Sequence, residues 1–183
     1  QLTLHGVEKL HHSEGRHPTR RWGGRQAWRY GSIDSRRAGG ARSPPRPSDQ
    51  PTVIVVDASV LVDALGGDGA RGSAARARLA SEPYVAVPDI ADLETISALR
   101  RRWLAGLIDE EQLLLAADDL GSLPAERHHS LSLIPRALEL RHTVTVADAM
   151  YIALAEKLGL SLLTADRRLA GAPGIRCRVE VLG

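Results

Sequence analysis

The chain has 183 residues and a formal charge of +2, and the charge is unevenly shared. Residues 1–50 hold 10 Lys/Arg against 4 Asp/Glu, whereas residues 51–183 hold 14 against 18, so the basic pI excludes nothing and supports nothing about the body. The single cysteine, Cys177, excludes an internal disulfide framework and a cysteine-based zinc site, and no apolar run approaches the roughly 20 residues that cross a bilayer.

Residues 1–50 are rich in Gly, Pro, Arg and Ser and keep no helical or strand period. Too few apolar groups are present to offset the entropy of ordering. The segment reads as a basic, disordered extension or a non-native stretch. The competing reading is an RNA-contacting arm in which Trp22, Trp28 and Tyr30 stack on bases. No apolar h-region marks a signal peptide, and the lone thiol fits a reducing, cytoplasmic compartment.

A single body is expected over residues 52–183. It opens with VIVVDASVLVDAL. Val53 to Val56 is a β-branched run, as expected of a strand buried on both faces, and Asp57 follows its carboxyl end. Ser59 is placed to cap a helix carrying Val60, Leu61, Ala64 and Leu65, which Gly66 and Gly67 end. The spacing predicts a helix over 70–81, a strand over Tyr84 to Val87, and a long helix from about Asp89 to Leu104. The apolar stripe of that helix is Leu93, Ile96, Leu99, Trp103 and Leu107. Another helix begins near Asp109, and LSLIPRALELRH gives one more with Pro135 in its first turns. His128 and His129, without a partner at ligand spacing, read as a loop or strand edge. TVADAMYIALAEKLG is an amphipathic helix with Ala147, Met150, Tyr151, Leu154 and Leu158 on one face and Gly159 as its stop. SLLTAD is a strand, and IRCRVEVL a final strand or pair. Strands alternating with helices imply an α/β fold with a mostly parallel central sheet and helices on both faces.

Ligands of open α/β sheets bind beyond the carboxyl ends of the strands. Asp57 and Asp166 sit at such ends. Asp148 lies in the first turn of a helix and Glu94 in the second turn of another, so four carboxylates can share one rim. Taken singly each acid has a plainer role. Thr145-x-x-Asp148 is a capping-box pattern, Asp166 can cap a short helix, Asp57 can be a loop residue and Glu94 a solvated one. Taken together they repel strongly unless a cation neutralises them. Hard oxygen donors select Mg²⁺ or Mn²⁺, which supports phosphodiester hydrolysis. Ser59 and Thr164 are candidates to orient a carboxylate or a water. Arg100, Arg101 and Arg102, with Arg167 and Arg168, are candidate RNA contacts, although a solvated helix face explains such runs as well.

Two other readings compete. One is a phosphate-transfer or receiver-type α/β domain using Asp57. A receiver needs a second acid near the first strand and a lysine at a later strand end, but the only lysine of the body is Lys157, inside a helix. A haloacid-dehalogenase-like phosphatase needs Asp-x-Asp, and the run here is Asp57-Ala58-Ser59. The other is a non-catalytic binding module in which the acids only cap and solvate.

In VIVVDASVLVDAL, PDIADLETISALRRR, LPAERHHSLSLIPRALELRHTVTVADAMYIALAEKLG and SLLTADRRLAG, the sequence resembles the PIN-domain ribonucleases, specifically the VapC toxins of bacterial toxin–antitoxin pairs. The resemblance covers essentially residues 53–182 and none of residues 1–50. It implies a PIN-like three-layer α/β/α fold and a metal-dependent endoribonuclease with its acidic quartet at Asp57, Glu94, Asp148 and Asp166. It also implies homodimers, or toxin–antitoxin hetero-oligomers in which a small cognate antitoxin inhibits the enzyme.

Overall fold

Strand β1 (Val53–Val56) is buried at all but its first residue, as its β-branched run requires. In the computed structural model, residues 53–82 and 84–183 are described. The disordered-extension and base-stacking readings of residues 1–50 lie outside them. After β1 come α1 (Ala58–Gly66), α2 (Ala70–Ala80), β2 (Tyr84–Pro88), α3 (Ile90–Leu104) and α4 (Glu110–Ser122). Then follow β3 (Ala125–His128), α5 (Ile134–Glu139), α6 (Val146–Leu158), β4 (Ser161–Thr164) and β5 (Val179–Val181).

All five strands are parallel, in the order β3-β2-β1-β4-β5. The chain steps one way from β1 through β2 to β3, then returns to β4 on the other side of β1. Parallel crossovers are right-handed almost without exception. The first two therefore lay α1 to α4 on one face, and the return lays α5 and α6 on the other. The result is three layers, α/β/α. In the described residues no helix is long and apolar enough to cross a membrane.

The core is built from Val, Leu, Ile and Ala because the chain has no Phe, and Tyr151 is its largest fully buried side chain. Gly159 ends α6 as predicted. Its φ of 68° is left-handed, a conformation that glycine adopts without a Cβ penalty.

Three expectations need correction. The stripe on α3 is only partly the one expected: Leu99 is buried and Ile96 packs against the core, but the helix otherwise buries Ala91 and Thr95. Leu93 and Leu107 are 70% and 72% exposed and Trp103 37%. Small residues four apart let α3 pack closely on α1, so the bulky ones turn outward. The helix cap at β1 is Asp57, whose side chain accepts from the Ser59 N–H; Ser59 is not the cap. LSLIPRALELRH is not one helix but a 3₁₀ turn (Ser130–Leu133) followed by α5. Pro135 has no N–H to donate to the preceding turn, and it lies in the first turn of α5 as expected. Ala125–His128 forms a strand that no expectation covered, and it puts His128 at a strand edge, one of the two places expected for it. This strand pairs only with β2, so it is an edge strand, and its exposed Glu126 and Arg127 hid it from an apolar-run argument.

One ionic cluster ties α5 to α6 and to the loop before β5. Arg136 donates to Glu156 at 2.6 and 3.0 Å, to Glu139 at 2.7 Å and to the Gly174 carbonyl at 2.6 Å. Burial opposes the charge of Glu156, but Arg136 and the Arg176 N–H hold its carboxyl below the ordinary value. That contribution to stability is full above the ordinary carboxylate range and is lost as pH falls through the lower folded value. Arg136→Ala is expected to cost about 2–3 kcal/mol at neutral pH by leaving Glu156 without its partner. Urea titrations at pH 7 and pH 3 check this, with the difference from the parent shrinking at pH 3.

Candidate active site

The sheet order reverses between β1 and β4: β1 connects to its neighbour on one side, β4 to its neighbour on the other. Such a switch point leaves a crevice beyond the carboxyl ends of the two strands. Val56 pairs with Leu163, so Asp57 and Thr164 come next to each other at the lip.

Asp57 is 7% exposed and held by three donors. Its Oδ2 accepts from the Thr164 hydroxyl at 2.5 Å and the Ser59 hydroxyl at 2.9 Å, and its Oδ1 from the Ser59 N–H at 3.2 Å. The same hydroxyls are themselves oriented by β4. Ser59 Oγ accepts from the Ala165 N–H and Thr164 Oγ1 from the Asp166 N–H, each at 3.0 Å. One small network therefore locks the ends of β1 and β4 together and fixes the Asp57 rotamer. Burial still prevails over these donors and pushes the Asp57 carboxyl above its ordinary value, with a further upward push from Asp148.

Glu94 reaches the rim from the second turn of α3. It is half-buried, and its Oε2 accepts from the Tyr151 hydroxyl of α6 at 2.6 Å. Burial raises its carboxyl above the usual range; Tyr151 works against this, and Asp57 and Asp148 add to it. The two other acids of this stretch are engaged elsewhere. Asp92 pairs with Arg127 at 2.7 Å, and Asp89 accepts from Ser130 and faces His129. Glu94 is thus the acid of α3 that faces Asp57 and Asp148.

Asp148 sits in the first turn of α6. Thr145 caps the helix by accepting from the Asp148 N–H at 3.1 Å and donates its hydroxyl to Asp148 Oδ2 at 2.7 Å. The capping role and a place on the rim coexist. Asp166 caps the 3₁₀ turn Arg167–Gly171 through the Arg168 N–H at 2.9 Å. The Arg168 guanidinium grips both carboxylate oxygens at 2.5–3.0 Å and holds the Asp166 carboxyl below its ordinary value.

The acids share the rim loosely. In the described residues no group of three His, Cys, Asp or Glu side chains is close enough to hold a metal ion. Their chemistry nonetheless fits a hard cation. Asp148 disfavours the charge of Asp57, and both disfavour the charge of Glu94. Ion pairing among the described residues engages Asp166, through Arg168, but none of those three. All the donors are oxygens, which suits Mg²⁺ or Mn²⁺.

The arginines are distributed differently. Arg100 and Arg101 are exposed in the last turns of α3, roughly 9–10 Å along the axis from Glu94 at the helical rise. Arg102 is committed to α1, donating to Asp63 at 2.7 Å and to the Val62 carbonyl at 3.1 Å. Arg167 is exposed beside Arg168. Sequence reasoning missed Tyr151 as a partner of Glu94. Helical period assigned it to the apolar face, where its ring does lie, and nothing in the pattern signals its hydroxyl.

Comparison with known proteins gives the family. The PIN domain model matches residues 54–175, and the chain belongs to the PIN domain family. It is 45% identical over 129 residues to the protein named Ribonuclease VapC1 of Mycobacterium tuberculosis, covering 70% of this chain and 96% of that protein. It is 43% identical over 126 residues to Ribonuclease VapC3 of the same organism, covering 69% and 91%. The crystal structure of Mycobacterium tuberculosis VapC20, described as a Sarcin-Ricin loop cleaving toxin, matches with a TM-score of 0.53 and 26% identity. That match covers 67% of this chain and 98% of VapC20.

Proposed function

We propose that residues 52–183 form a metal-dependent endoribonuclease, the toxin of a toxin–antitoxin pair, with Asp57, Glu94, Asp148 and Asp166 holding Mg²⁺ or Mn²⁺. What supports this reading is the crevice at the switch point, where Asp57 is locked beside Thr164 and where Asp57 and Asp148 push the Glu94 carboxyl upward. The relatives named ribonucleases support the RNA substrate. Single-stranded or loop RNA is the substrate class, because unstacked bases are what proteins read.

A bound divalent cation supplies Lewis acidity toward the phosphate and lowers the pKa of water. The chain's own residues set the geometry. Ser59 and Thr164 fix Asp57 so that little reorganisation is needed on binding. Tyr151 engages Oε2 of Glu94 and sets the direction of the other oxygen. Arg167 is exposed beside the site where an RNA strand would run, whereas Arg168 is held by Asp166. Hydrolysis adds water across the P–O3′ bond and leaves a 5′-phosphate and a 3′-hydroxyl, with no need of the 2′-hydroxyl.

Cleavage of single-stranded RNA by the purified chain with Mn²⁺, and not with a chelator, tests the reading. Undiminished cleavage in chelator would sink the metal's role. Tyr151→Phe keeps the ring but removes the donor to Glu94. It is expected to weaken both Mn²⁺ affinity and cleavage by about 10-fold, the low end for losing a hydrogen-bond partner of a ligand. Calorimetric Mn²⁺ titration beside a cleavage assay checks it.

The receiver-type alternative gains nothing here, since Lys157 sits in the last turn of α6 and donates to Ser132 at 3.0 Å. In this reading the protein acts in the cytoplasm, as a homodimer or with a small antitoxin. Exposed Trp103, Leu104, Leu107, Leu114 and Leu115 on and around α3 and α4 supply apolar surface of the kind such contacts cover.

A further inference from the structure

A cavity of about 370 Å³ opens beside the acids, between the loop before α6 and the 3₁₀ turn Arg167–Gly171. Asp148 and Asp166 wall it, and Val144 and Ala172 add apolar surface over the buried Leu169. Arg141 and His142, both exposed, also line it. The sequence reading gave these two residues no role.

We propose that this cavity seats the RNA nucleotide next to the scissile phosphate, with Arg141 and His142 binding that nucleotide's own phosphate. The assignment rests on the ribonuclease reading above and extends it to the substrate. Three features point to a nucleotide. First, the volume lies within the range of about 300–1,000 Å³ for small-ligand sites. Second, the cavity combines apolar side chains, on which a base or ribose can rest, with cationic ones. Third, the cations differ in how far they are engaged. Arg168 is spent on Asp166, whereas Arg141 uses one N–H on the Leu138 carbonyl at 2.9 Å and keeps its others. Among the described residues His142 takes part in no hydrogen bond or ion pair, so its ring N–H can donate to a phosphate oxygen. Once a cation neutralises Asp148 and Asp166, Arg141 leaves the cavity favourable to an anion. An acidic peptide would meet the same cations but has no planar base for the apolar side chains.

Binding is measured by fluorescence anisotropy of a labelled single-stranded RNA, in an Asp57→Asn background that prevents cleavage, with Mg²⁺ present. Arg141→Gln with His142→Gln is expected to weaken binding about 10- to 100-fold, the range for lost charge-assisted hydrogen bonds. The slope of log Kd against log salt should fall by about 0.7–1.4, one or two phosphate contacts. Mn²⁺ affinity and Tm should stay unchanged. Arg141→Lys, which keeps the charge, should retain most of the affinity. Unchanged Kd and slope in the double variant, while its background protein binds RNA, would overturn the subsite and leave the ribonuclease reading standing. A loss with Arg141→Lys as large as with Arg141→Gln alone would overturn the electrostatic assignment. If the parent chain neither binds nor cleaves RNA, the ribonuclease reading fails and the subsite with it.

Discussion

Asp57→Asn is expected to lower RNA cleavage by about 1,000-fold, because losing one anchoring carboxylate forfeits several kcal/mol of transition-state stabilisation. The same variant should be more heat-stable than the parent in metal-free buffer at neutral pH. The reason is burial. Asp57 is almost wholly enclosed, and its carboxyl lies above the ordinary value even though two hydroxyls and an N–H point at it. The folded chain therefore takes up a proton there more readily than the unfolded chain. That contribution is full below the ordinary carboxylate range and fades as pH rises through the folded value. Asparagine is neutral throughout, so its advantage should be largest near pH 7 and should vanish toward pH 4. Melting curves at the two pH values check the sign. An Asp57→Asn protein that is less stable than the parent at pH 7, and more so than at pH 4, would show that burial is not the dominant influence on this carboxyl.

Thr164→Val is expected to have the largest effect on stability at the site, about 2–3 kcal/mol, and to cut cleavage by about 10- to 100-fold. The substitution keeps shape and removes only the hydroxyl. Thr164 is fully buried, donates to Asp57 Oδ2 at 2.5 Å and accepts from the Asp166 N–H at 3.0 Å. Without it a buried carboxylate loses a donor and a backbone N–H loses its acceptor. Denaturant unfolding with and without Mn²⁺ measures both consequences. Metal-dependent stabilisation should shrink along with the stability. A variant within about 0.5 kcal/mol of the parent, the scatter of ordinary surface changes, would mean the network does not hold the strand ends together.

Much of this arrangement could be read from the chain alone, and the reasons differ from place to place. Strands β1 and β4 are legible because a strand covered on both faces must be apolar throughout, and each run ends in an acid or just short of one. Helix α6 is legible because Thr145 and Gly159 mark its ends. Asp57, Glu94, Asp148 and Asp166 can be proposed as ligands only as a set, since three of the four sit at helix caps. Asp57 caps α1, Thr145 caps α6 over Asp148, and Asp166 caps a 3₁₀ turn. What escaped was whatever depends on partners distant in sequence. The inward face of α3 is set by how closely α1 approaches, which favours Ala91 and Thr95 over Leu93. Strand β3 is polar because it is an edge. Arg102 looks like a free cation until α1 brings Asp63 to it. Tyr151 looks like core, and is, but its hydroxyl finds Glu94 on a helix 57 positions earlier in the chain.

The central proposal is one site made of acids from four elements. The most direct measurement is cleavage of a single-stranded RNA with Mn²⁺ by the parent, Asp57→Asn and Asp148→Asn side by side, with the 5′ ends of the fragments identified. The expected result is 5′-phosphorylated fragments from the parent alone, and loss of cleavage in both variants although both remain folded. Full activity in both variants would contradict it.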